Sequence, residues 1–178
     1  MFQPVIYYQD DPRWRDAPYA INGEESTIGT AGCGPTSMAM VIATWCDQSN
    51  TPSTEAAWAL SHGYKGFHQG TKYSYFEASA KRYGLICRQL NYSSIYHDTN
   101  SSLHSQVKHA IDHGCLAIAC MGKGTWASTG HFVLVYKIDN DTVFINDPAS
   151  SDITRTKGNY NNFKNEVKHY FLIDPPKI

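Results

Sequence analysis

From Met38 to Trp45 the chain reads Met-Ala-Met-Val-Ile-Ala-Thr-Trp, and the run follows Gly29-Thr30-Ala31-Gly32-Cys33-Gly34-Pro35-Thr36-Ser37. The pattern predicts a helix from Cys33 to about Cys46 that is apolar on most faces. Such a helix has no face to give to water and must be buried on several sides. The rest of the chain therefore has to supply the layers that cover it. At its head a cysteine sits between two glycines, where a polar loop becomes the helix. The first helical turn carries unpaired N–H groups and a partial positive charge, both of which favour a thiolate over a thiol. Gly32 and Gly34 are expected to leave room for a substrate backbone. Pro35 suits the first turn, where its missing N–H costs nothing.

The other elements are short. Val5-Ile6-Tyr7-Tyr8 is expected to form a strand leading into Gln9, followed by a polar, turn-rich stretch up to Gly32. Ser53-Thr54-Glu55 is expected to cap a helix that runs through Ser61 and ends at Gly63. A second helix is predicted over 73–83 and stops at Gly84, and a strand over 85–90. Ser101-Ser102 caps a helix from Leu103 to His113, again ended by a glycine. Strands follow over 116–121, 132–137, 142–146 and 170–173. Helices come first and strands later, which argues for an α+β fold with helices packed beside an antiparallel sheet. No repeat or low-complexity tract interrupts it. A single domain over 1–174 is expected, with Asp174-Pro175-Pro176-Lys177 reading as the start of a linker.

A thiolate nucleophile needs a base and a group that orients the base. Gly130-His131-Phe132-Val133-Leu134-Val135-Tyr136 reads as a strand, Asp139-Asn140-Asp141 as a turn, and Thr142-Val143-Phe144-Ile145-Asn146-Asp147-Pro148 as the returning strand. A hairpin folded near Asn140 puts His131 and Asp147 at the same open end. Pro148 then stops the ladder. The order Cys33, His131, Asp147 is that of a nucleophile, a base and an orienter. Trp126 and Gly130, just before His131, join Gly32 and Gly34 as candidates for substrate contact.

In these residues the chain resembles the papain-like cysteine peptidases of the double-glycine (bacteriocin) leader-peptidase type, and more closely their stand-alone relatives of the cell-wall hydrolase and endolysin type. The resemblance spans nearly the whole sequence. It rests on Tyr8-Gln9, on Gly32-Cys33-Gly34-Pro35-Thr36-Ser37-Met38, on Val107 to Gly114 with Leu116-Ala117-Ile118-Ala119, on Gly130-His131-Phe132-Val133 and on Asn146-Asp147-Pro148. It implies a papain-like fold in which the apolar helix is central. It implies Cys33 as nucleophile, His131 as general base and acid, Asp147 as orienter and Gln9 as oxyanion donor.

Composition fits an ordinary compact enzyme. The 178 residues include 15 Lys plus Arg and 16 Asp plus Glu, a balance that points to no nucleic-acid partner. Twelve tyrosines, four tryptophans and seven phenylalanines exceed what a core of this size needs, so a tyrosine-lined groove for peptide or sugar is one reading of the surplus. The five cysteines show no CxxC pattern, and an odd count leaves at least one thiol free. Cys46, Cys87, Cys115 and Cys120 are read as structural, made in a reducing compartment. His109 and His113 share a helical face but lack further ligands at zinc spacing. Asp139-Asn140-Asp141 lacks the rest of a calcium loop. No metal or cofactor is expected. Neither a signal peptide nor a membrane span is encoded, so synthesis in the cytoplasm is expected.

Together these readings describe an amide hydrolase acting on a peptide. The resemblance implies peptidoglycan stem or bridge peptides as substrate and the bacterial cell wall as the place of action. The chain is then a monomer or part of a longer chain with a wall-binding domain. A leader-peptide or protein-processing protease, or a non-enzymatic binding module on the same fold, are the alternatives.

Overall fold

The computed structural model describes residues 2–90 and 95–177. A short helical turn, α1 (Ile28–Ala31), leads into the apolar helix α2 (Cys33–Trp45), followed by α3 (Pro52–Ser61), α4 (Ser74–Arg82), β1 (Cys87–Leu90), α5 (Ser102–Asp112) and β2 (Leu116–Met121). Then come β3 (His131–Asp139), β4 (Thr142–Asn146), α6 (Ile153–Thr156), β5 (Lys157–Asn159), α7 (Tyr160–Glu166) and β6 (Val167–Ile173). The strands form one antiparallel sheet in the order β1-β6-β2-β3-β4-β5. This is the expected α+β arrangement.

Side chains alternate across the sheet with the strand period of two. Ile118, Cys120, Phe132, Leu134, Phe171 and Ile173 point to one face and pack with Met38, Val41 and Ile42 of α2, Ala56 of α3 and Phe76 of α4. Ala117, Ala119, Val133, Val135, Tyr170 and Leu172 point to the other and meet Val107 and Ile111 of α5 and Phe163 of α7. With both faces covered, all six residues of β2 are buried. Residues 34–43 of α2 are buried without exception, as its composition requires.

Local signals place most element ends. Gly63, Gly84 and Gly114 have positive φ after α3, α4 and α5, and Ser101 Oγ accepts from Leu103 N at 3.3 Å. The cap of α3 differs from expectation. Thr51 Oγ1 accepts from Thr54 N at 3.3 Å, Pro52 takes the first helical position, and Glu55 is fully buried.

The expected strand at 5–8 does not form. Side chains from elsewhere hold this segment's backbone: Val5 N donates to Thr44 Oγ1 (2.8 Å), and Asn146 Nδ2 donates to Pro4 O (3.3 Å) and Val5 O (3.2 Å). These bonds replace the ladder a strand would need. The segment over 150–169, for which no elements were expected, forms α6, β5 and α7, whose brevity leaves little periodicity to read.

Candidate active site

Cys33 opens α2 and is partly exposed. Opposite it, β3 begins at His131, and Ser37 Oγ of α2 lies 3.4 Å from Phe132 O. The hairpin turns at Asn140 with φ of 53°. Its register slips by one between Val135 and Lys137, so Leu134 faces Asn146. Asp147 follows immediately, and its Oδ1 lies 2.7 Å from His131 Nε2. The structure thus brings the three residues expected at the site together: Cys33 and His131 line one cleft, and Asp147 holds His131 from behind.

Asp147 is 1% exposed and its carboxylate is fully partnered. Oδ1 also accepts from Ala149 N at 2.8 Å, while Oδ2 accepts from Arg155 Nε at 2.8 Å and lies 2.7 Å from Nη2 in an ion pair. With Nε2 committed to Asp147, the imidazole has Nδ1 left to serve Cys33.

The electrostatics follow from this arrangement. Burial alone lowers the pKa of His131, but its hydrogen bonds to Asp147 and Cys33 and their negative charges reverse that and hold it at about 9. Burial alone raises the Cys33 thiol. The His131 hydrogen bond and charge, helped by the backbone of Phe132 and Gly34, outweigh it and leave the thiol below its ordinary value. Both shifts favour an imidazolium–thiolate pair. Cys33 should therefore alkylate with iodoacetamide well below the usual thiol range near ~8.5. Any turnover that needs the imidazolium should fall as pH rises through about 9. A rate profile flat across that limb, measured by stopped assay, would contradict the pairing.

The cleft at Cys33 and His131 holds about 940 Å³ and has Thr71, Lys72, Tyr73 and Lys168 in its walls. One wall is loop 64–72, tied to the 19–28 segment by a buried Lys65–Glu24 ion pair (3.2 Å) and by Tyr19 OH to Thr71 Oγ1 (2.6 Å). A smaller hollow of about 430 Å³ also borders His131, beside Trp126, Ala149 and Arg155.

Other expected contacts lie elsewhere. Trp126 is 2% exposed; its ring packs edge-on against Phe163 at 5.6 Å and occupies the space where Gly158 lacks a side chain. Its indole is therefore packed into the core; the residue stands outside the larger cleft and borders only the smaller hollow beside His131. A Cβ on Gly34 would lie 2.8 Å from Thr71 Oγ1, and one on Gly32 would strike Ile28. These glycines let the chain's own loop and helical turn approach, instead of leaving space for substrate. Gly130 is exposed and open toward the cleft. Gln9 is buried beside the turn leading to Cys33, held by Gln9 N to Pro148 O (2.8 Å) and Nε2 to Gly29 O (3.0 Å).

Arg155 is the main site residue that sequence reasoning missed. Besides Asp147 it reaches Trp126 O through Nη2 (3.0 Å), and Trp126 Nε1 donates back to Arg155 O (2.9 Å). No local pattern marks an arginine in a four-residue helix as the partner of a carboxylate eight positions earlier. Among the described residues no group of three or more His, Cys, Asp or Glu side chains is placed to hold a metal, and no helix is long and apolar enough to cross a membrane.

Several solved structures share this fold. The peptidase domain of Streptococcus ComA, a bifunctional ABC transporter involved in quorum sensing, superposes with a TM-score of 0.57 at 22% identity, over 83% of this chain and 93% of that one. A double glycine motif protease from an AMS/PCAT transporter, in complex with its leader peptide, gives 0.56 at 18% identity, over 99% and 100%. A Bacillus anthracis protein described as a C39-like peptidase gives 0.53 at 14% identity, over 99% and 100%. No curated protein matches the sequence. The sequence model of the Peptidase_C39 like family matches residues 7–173, and the chain belongs to that family.

Proposed function

We propose that this chain is a cysteine endopeptidase in which Cys33, His131 and Asp147 perform the chemistry. The observation that carries the reading is that Cys33, at the head of α2, shares one cleft with His131, whose Nε2 lies 2.7 Å from the buried carboxylate of Asp147. Cys33 Sγ attacks the scissile carbonyl carbon. The oxyanion is held by Cys33 N–H and by the second hydrogen of Gln9 Nε2, whose first is spent on Gly29 O. His131 gives its Nδ1 proton to the leaving amine, and the C–N bond breaks to leave a thioester. A water then loses a proton to His131 as its oxygen adds to the carbonyl, releasing the carboxylate and restoring the ion pair. Asp147 fixes the tautomer and the ring plane throughout.

Two peptide substrates fit this reading. The resemblance of the sequence to stand-alone wall hydrolases supports peptidoglycan stem or bridge peptides and action at the cell wall. The structural likeness to a double glycine motif protease bound to a leader peptide supports a leader-type substrate. The test is purified protein incubated with bacterial peptidoglycans and with double-glycine leader peptides, using Cys33→Ala as control and mass spectrometry of the products. New amino termini in wall peptides, absent from the control, establish the first substrate; cleavage after the glycine pair establishes the second. Release of sugar reducing ends would contradict a cysteine mechanism.

A further inference from the structure

The charged groups in the larger cleft are Glu24, Lys65, His68, Lys72, His131 and Lys168. Most of them cancel. Glu24 is paired with buried Lys65 at 3.2 Å, exposed His68 lies 3.9 Å from the same carboxylate, and His131 is held between Asp147 and Cys33. Lys72, exposed, and Lys168, half-buried, remain. Among the described residues neither forms an ion pair. Two uncompensated cations therefore share the cleft of a chain whose net charge is −1, and no free carboxylate opposes them there. A cleft walled by one sign of charge concentrates ligands of the other sign and speeds their arrival.

Resting on the peptidase reading above, we infer that the substrate is an anionic peptide, with carboxylates near the scissile bond that meet Lys72 and Lys168. An ammonium is a compact point charge served well by a single carboxylate, so acidic side chains or a free α-carboxylate satisfy the same two sites. Tyr73, half-buried next to Lys72 and lining the same cleft, offers an apolar face to the bound peptide.

The test compares anionic iodoacetate with neutral iodoacetamide on Cys33, whose sulfur displaces iodide from either reagent. The exposed Cys46 is the internal reference, and each site is followed by mass spectrometry. In Lys72→Gln/Lys168→Gln the iodoacetate-to-iodoacetamide ratio at Cys33, normalised to Cys46, should fall at least about threefold, and about 0.5 M salt should produce a similar fall in the parent protein. Matched peptides with Glu or Gln near the scissile bond should differ by ~10-fold in kcat/KM, a preference the double variant loses. A ratio and a preference unmoved by both lysines would overturn the inference. Slow reaction of Cys33 with both reagents would instead sink the peptidase reading, while the ratio still reports the charge preference of the cleft.

Discussion

Cys33→Ala should lower kcat by ~10⁴-fold or more on any peptide the parent protein cleaves, with the far-UV circular dichroism spectrum retained. The size follows from what the sulfur does, since no other group at the site can form the thioester. His131→Ala should be comparably severe, and the double variant no worse than either alone, because nucleophile and base act as one unit. Asp147→Ala should be milder, about 10- to 100-fold less damaging than His131→Ala, since it costs orientation and not a reacting group. That variant also strands Arg155, whose guanidinium loses its ion pair and the Nε hydrogen bond to the carboxylate, so some loss of stability should accompany it. Substantial turnover in folded Cys33→Ala would remove the assignment. Asp147→Ala more severe than His131→Ala would mean the orienter is wrongly chosen.

The largest loss of stability is expected far from the cleft, at Glu55. Its carboxylate is fully buried between α3 and α4. Oε1 accepts from Tyr75 OH and Ser79 Oγ, each at 2.6 Å. Oε2 accepts from Asn50 Nδ2 at 2.9 Å and Arg82 Nη1 at 3.1 Å. Tyr75 and Ser79 are themselves fully buried. Glu55→Ala removes four acceptor contacts at once and leaves buried donors and a cation without partners, a change that typically costs ~3–5 kcal/mol. Glu55→Gln keeps the shape and part of the bonding and should cost about 1–3 kcal/mol. Urea unfolding monitored by fluorescence is the check, read as a fall in midpoint at constant slope. A loss under about 1 kcal/mol for Glu55→Ala would show that the partners find water instead.

These two sites illustrate what was legible in advance. Cys33 stood out because three local signals coincided: flanking glycines, a proline suited to a first helical turn, and an apolar run that had to be buried. His131 and Asp147 were linked by hairpin arithmetic around Asn140, and the register slip near Tyr136 did not separate them. Glu55 carried no comparable signal. Beside Ser53 and Thr54 it read as part of a helix cap, whereas four partners drawn from 50 to 82 make it a buried hub. Trp126 shows the opposite limit: an aromatic near the histidine suggested a groove, whereas packing against Phe163 and Gly158 buries its ring and leaves it bordering only the smaller hollow.

The α+β class, the central buried helix and the meeting of Cys33, His131 and Asp147 near one cleft could all be anticipated from local sequence. Each depends on periodicity, caps, turns and the identity of near neighbours, which are properties of a short stretch of chain. Which charges are buried and which face the cleft became visible only in the packed fold. Lys65 meets Glu24 across 41 positions and is silenced, while Lys72, seven residues further on, stays free. Whether a charged side chain is compensated is settled by long-range pairing, and no local pattern encodes its partner.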